Sequence, residues 1–328
     1  MIRSISHTED GITHKDIPVN EINQYLKDQK CILWVDLSGE PDSKIETTLK
    51  DVFHFHQLSI DDALLETHVP RVDDWNDYIY ICLRSVTISS EIDLQIEIPE
   101  LDVFLGPNYI VTYHDDPVLE VDSLWNTCLR DERYLKKGAA NLFYHLADEL
   151  VNQFLPVIEQ MEETIDQIED DIIDKPRTEM LSQIFSLKRM MLMMRRTLLP
   201  QREVFSKLAR GDFDVIHEQH RVYFRDIYDH MVRLEEINES MRDLVSGALD
   251  TYLSVVNNRM NDVMKTLTII TTLFMPLTFI TGFFGMNFFQ AIEPHPLWTG
   301  KIAFLIMICA IIIIPFGMFL WMRRRAWM

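Results

Sequence analysis

The sequence predicts an α+β domain, then long stalk helices, then a two-helix C-terminal hairpin that spans a membrane. Three observations carry this reading. Two uncharged apolar runs lie near the C-terminus, a helical periodicity enters the first of them without a stop, and strand-like runs are confined to the first 135 residues. The expected organisation is an α+β domain over 1–135, a helical region with the stalk over 136–265, a first span over 266–286, a link over 287–301, a second span over 302–322 and a basic tail over 323–328.

The strand-like runs include residues 31–37 (CILWVDL) and 78–83 (YIYICL), rich in aromatic and β-branched side chains. Residues 101–113 read as two strands around a Gly106-Pro107-Asn108 turn. Residues 59–65 suit a short helix, and the sheet is expected to be mainly antiparallel. No glycine-rich phosphate cradle occurs, so a nucleotide enzyme has no support. Neither do His54, His56, Asp61 and Asp62 match a nucleophile or zinc-enzyme pattern.

From Gly138 onward the pattern is helical. Asn141 to Asp174 carries apolar residues every third or fourth position, and Pro176 interrupts it. Met180 to Lys207 forms a further helix, whose methionines (Met190, Met191, Met193 and Met194) are read as core rather than as soft-metal ligands. After the Arg210-Gly211-Asp212 turn, apolar positions at Ile227, Leu234, Ile237, Met241, Leu244, Ala248, Tyr252, Val256, Met260, Val263, Leu267 and Ile270 keep a helical step. One helix from His217 to Met286 is therefore expected, about 105 Å long at 1.5 Å per residue.

The spans themselves are Thr266–Met286 and Ile302–Met322, each 21 residues, or about 30 Å as helix. Arg259 and Lys265 precede the first and Arg323, Arg324 and Arg325 close the second, while the link is nearly neutral. The positive-inside bias puts both chain ends in the cytoplasm and the link outside. The first span is threonine-rich, and its hydroxyls either face water or bond back to their own helix. Two spans cannot enclose a pore, so transport would require an oligomer.

The formal charge is −20. Residues 266–328 hold four cations and one acid, so the first 265 carry −23. Such an acidic body excludes a general nucleic-acid binder. The four cysteines stand far apart with no CxxC pair, so a thiolate metal site or redox dithiol is not expected. The N-terminus lacks a signal-peptide core, which fits a body that stays in the cytoplasm.

At the outer end of the first span stands Gly285-Met286-Asn287. In this setting, together with the stretches Tyr223–His230, Tyr252–Ser254, Asn261–Lys265 and Phe274–Phe279, the chain resembles the CorA family of magnesium transporters along essentially its whole length. The resemblance implies a homopentameric funnel in the bacterial inner membrane, with the first span of each subunit lining a Mg2+ channel. It implies that Gly285, Met286 and Asn287 form the selectivity filter, with neutral oxygens holding Mg2+ while it keeps its inner waters. Asn287 also suits a helix C-cap. Asn261 and Thr278 resemble polar pore rings, and Met264, Leu267 and Met275 resemble apolar constrictions. Asp226 resembles an intersubunit regulatory site at which cytoplasmic Mg2+ holds the channel shut.

The sequence departs from the family in two places. A partner acid for Asp226 is not evident near Ser89, Ser90, Glu91 and Asp93, and Glu293 is the sole acid in the link to attract external cations. Co2+ or Ni2+ are further expected cargo. A Zn2+ transporter of the same architecture and a non-transporting membrane-anchored metal sensor or scaffold are the competing readings. The lipid bilayer, divalent cations and further copies of the chain are the expected partners.

Overall fold

The computed structural model describes residues 1–65, 69–90, 95–285 and 301–325. Two compact units divide it at Leu249 and Asp250. In the first unit the chain runs β1 (Ile2–His7), β2 (Thr13–Lys15), α1 (Ile22–Lys27), β3 (Ile32–Ser38), α2 (Asp42–Thr47), α3 (Gln57–Leu64), β4 (Arg71–Asp74), β5 (Ile79–Arg84), β6 (Thr87–Ser90), β7 (Gln95–Glu97), β8 (Glu100–Leu105) and β9 (Tyr109–His114). Seven strands form one sheet in the order β2-β1-β3-β9-β8-β5-β4, and β6 pairs with β7 separately. Only β3 and β9 pair in parallel in the large sheet; its other pairs are antiparallel.

Both faces of this sheet are covered. On one, Val35, Tyr80, Phe104 and Val111 pack with Ile22, Ile45, Leu49 and Ile60 from the intervening helices. The other is met by the helices that follow: α4 (Leu119–Arg130), α5 (Arg133–Lys136) and α6 (Ala139–Asn152), the last contacting β3, β8 and β9. A strand buried on both sides needs apolar residues at every position. That is why residues 78–83 form a continuous hydrophobic run, and residues 31–37 do so except for Asp36. At the β8–β9 turn a Cβ on Gly106 would overlap the Tyr109 ring, so any larger residue there requires that ring to move.

The helices continue with α7 (Phe154–Asp174), α8 (Thr178–Arg210) and α9 (Glu218–Gly285), and the chain ends in α10 (Lys301–Arg324). The single helix expected over 141–174 is two, parted at Gln153. Met190, Met191 and Met194 are buried core residues, and Met193 is exposed. Gly211 caps α8 in the left-handed conformation, φ 80°. α9 is one helix of 68 residues. Its buried positions are His220, Phe224, Ile227, Met231, Leu234, Asn238, Met241, Val245, Ala248 and Tyr252. Steps of three and four alternate there without a slip, the 3.5-residue repeat of a helix seated on another helix. The seam passes through Asn238 and Val245, where hydrophobicity alone favoured Ile237 and Leu244. Asn238 is tolerated because its amide donates to the Met191 carbonyl on α8 (3.4 Å), and Arg202 of α8 pairs with Glu235.

A buried anion fastens β1, β3, β9 and α4. Asp36 is fully buried and accepts from Arg3 Nε (2.8 Å) and Thr112 Oγ1 (2.6 Å), with His114 Nε2 at 3.5 Å. Arg3 also pairs with Asp122 on α4 (2.6 Å) and lies over the Trp125 ring. Burial alone would raise the Asp36 carboxyl; His114, Thr112 and Arg3 outweigh it and hold it below the usual range. Burial opposes a charge on His114, yet Asp36 prevails and raises it. The stabilisation from charged His114 is therefore present below the free imidazole value of about 6.5 and lost as pH rises through the raised folded value. Thermal melts of the full chain in detergent from pH 6 to 9 should show this loss. In His114→Gln that part of the pH dependence disappears, and an unchanged slope would refute the assignment.

Candidate functional site

The second unit exposes what the first buries. In the single chain nothing covers the most apolar stretch of α9 or of α10, although both are long enough to cross a bilayer. Met264, Leu267 and Met275 are each more than half exposed, and Asn261 and Thr278 are exposed as well. At about 100° per residue these five side chains fall within an arc of about 120°. Gly282 and Gly285 fall on the same arc, and Pro276 falls outside it, about 60° beyond its edge. The five residues singled out in sequence thus share one helix face, which ends in small residues. Met286, Asn287 and Glu293 lie outside the described residues.

The threonine hydroxyls bond back to the helix. Thr268 donates to the Met264 carbonyl (2.7 Å), Thr271 to Leu267 (2.7 Å), Thr278 to Phe274 (3.0 Å) and Thr281 to Leu277 (2.9 Å). This spends the hydroxyl hydrogen and leaves oxygen lone pairs directed outward. An outward surface of acceptors suits the water hydrogens of a hydrated cation and disfavours an anion. Back-bonding and a water-facing role, alternatives in sequence, are compatible in the structure.

Asp226 is exposed on α9 and has near neighbours that sequence reasoning missed. Burial pushes the Asp148 carboxyl on α6 up; His230 opposes this and Asp226 adds to it, so both lie near Asp148. The Tyr144 phenol, raised by burial, also feels Asp148 and Asp226. Contacts of Phe143 with Phe224 (5.7 Å between centroids) and Tyr144 with Tyr223 (4.9 Å) hold α6 against α9 at this level. His230 is one turn beyond Asp226, a spacing visible in sequence. Asp148 is 78 residues away, and only the packing of α6 on α9 brings it near. Ser89 donates to the Gln95 carbonyl in the small sheet (3.1 Å), and Glu91 and Asp93 lie outside the described residues.

Comparison with known proteins agrees along the whole chain. A family model described as CorA-like Mg2+ transporter protein matches residues 29–324. The cobalt/magnesium transport protein CorA of Thermotoga maritima is 32% identical over 309 residues, 92% of this chain and 85% of that protein. The zinc transport protein ZntB of Yersinia enterocolitica is 24% identical over 303 residues, 92% of this chain and 89% of that one. The complete structure of the CorA magnesium transporter from Methanocaldococcus jannaschii has the same fold, with a TM-score of 0.83 at 21% identity, covering 99% of this chain and 98% of that one. An α+β N-terminal domain, long helices, two membrane-length helices at the C-terminus and these matches together place the chain in the CorA-like Mg2+ transporter family.

Proposed function

We propose that this chain is one subunit of a homopentameric channel that admits Mg2+ passively through the bacterial inner membrane and also passes Co2+ or Ni2+. The observation that carries the reading is the single face of α9 with Asn261, Met264, Leu267, Met275 and Thr278, exposed in one chain and therefore available to line a path between several. Gly282 and Gly285 on the same face let copies approach closely near its end. With both termini cytoplasmic and an inside-negative potential, each elementary charge gains about 2.3 kcal/mol per 100 mV, and a divalent ion about twice that. No further energy source is required.

In this reading Gly285, Met286 and Asn287 form the filter. Mg2+ gives up its inner waters reluctantly, so neutral oxygens that accept from those waters select it without trapping it. Met264, Leu267 and Met275 close the path by excluding water when the helices draw together. Asp226, with Asp148 and His230 beside it, holds cytoplasmic Mg2+ and favours the closed arrangement. Loss of that ion leaves neighbouring carboxylates to repel one another and frees the stalks.

Three outcomes are expected. In proteoliposomes with an imposed potential, Asn287→Ala should cut Mg2+ flux about tenfold or more, the equivalent of about 1.4 kcal/mol. Zn2+ flux in the wild type without Mg2+ flux would transfer the chain to zinc transport, and no flux of any ion would leave a sensor or scaffold. Asp226→Asn should raise the internal Mg2+ needed for half-inhibition about tenfold or more; an unchanged inhibition curve would remove Asp226 from regulation. Glu293→Gln should slow uptake at low external Mg2+ and leave the maximal rate alone, so equal uptake at low Mg2+ would exclude that role.

A further inference from the structure

Among the described residues, one group of three potential metal ligands has all its ligand atoms within 4.8 Å of one another: Cys82, Glu100 and Asp102. The sheet register builds it. Cys82 on β5 stands directly opposite Asp102 on β8, and Arg84 stands opposite Glu100, two residues along the same face. Cys82 is fully buried and Asp102 is nearly so. A cavity of about 140 Å3 reaches Glu100 and Asp102 and is lined as well by Asp115 and Asp116 beyond the end of β9. That volume has room for about four waters, which supplies a route and the remaining coordination positions.

We propose that Cys82, Glu100 and Asp102 hold a borderline-soft divalent ion, of the Co2+ or Zn2+ type, in the N-terminal domain. One thiolate with two carboxylates suits such an ion and disfavours Mg2+, which takes oxygen ligands. Charge balance agrees. Three anionic ligands around a divalent ion leave one negative charge, and Arg84, ion-paired with Glu100 and bonded to the Ile98 carbonyl (2.8 Å), offsets it. The other nearby guanidinium, Arg71, is already met by Asp62 and Asp73. Without the ion, burial raises both the Cys82 thiol and the Asp102 carboxyl. Asp102 then shares a hydrogen bond with the Tyr80 hydroxyl (2.5 Å). A metal-bound thiolate and carboxylates are deprotonated, so any protons they carry are released to solvent on binding.

The probe is Co2+ titrated into the purified full-length protein in detergent. A thiolate-to-Co2+ charge-transfer absorption should appear and saturate at one ion per chain. It should persist in Cys31→Ser, Cys128→Ser and excess Mg2+, and vanish in Cys82→Ser. Glu100→Gln, which keeps the thiol, should raise the half-saturating Co2+ about tenfold or more. No such absorption in the wild type, or one that survives Cys82→Ser, would overturn the proposal. The readout is independent of transport, so a silent channel would not obscure it.

Discussion

The 68 residues of α9 satisfy their backbone within one element, each amide hydrogen reaching the carbonyl four residues back. This constraint governs the rest of the molecule. A hydrocarbon layer offers no partner to a bare amide, so a chain that leaves water must carry its own hydrogen bonds with it. α9 does so without changing conformation. Up to Tyr252 its apolar seam is buried at 3.5-residue spacing, and beyond that residue its large side chains are exposed although the helix continues. The backbone stays the same while the solvent required by the side chains changes. Pro276 lacks an amide hydrogen to give the Thr272 carbonyl, so one rung of the ladder is missing beside the face with Met264, Met275 and Thr278.

The same accounting explains the threonines. An unpaired hydroxyl in a bilayer costs free energy, and each threonine cited on the first span returns its hydrogen to its own helix. What remains outward is acceptor oxygen on a β-branched, stiff side chain. Such a surface can attract the waters around a cation without competing for the cation itself. It is the chemistry a passive channel needs, since a tight ligand would slow release.

How much of this was legible in sequence depended on where a residue's partners lie. The spans, the stalk and the turns at Gly106 and Gly211 were legible because each is a local pattern. The seam of α9 was misread at Ile237 and Leu244, because a polar Asn238 can be buried once Met191 supplies a carbonyl from another helix. Asp148 beside Asp226 was invisible for the same reason. Cys82, Glu100 and Asp102 form no sequence motif either. They meet because β5 and β8 pair in a register that no composition reveals, and a search for closely spaced cysteines passes over a single thiol opposite a carboxylate.

Asp36 and Asp102 expose what decides the state of a buried acid. Both are buried, and both accept a short hydrogen bond from a hydroxyl, Thr112 on Asp36 and Tyr80 on Asp102. Yet the carboxyl of Asp36 is lowered and that of Asp102 is raised. Burial opposes ionisation at both, and the hydroxyls favour it at both, so neither factor separates them. The difference is the surrounding charge. Asp36 has the cationic Arg3 and the His114 ring turned toward it. Asp102 has Glu100 as a like-charged neighbour, and the guanidinium of Arg84 is ion-paired with that neighbour. One aspartate is thereby a permanent anion that fastens β1, β3 and β9 to α4. At the other, burial and the Glu100 carboxylate both work against ionisation, and the charges of Arg84 and Arg71 do not outweigh them.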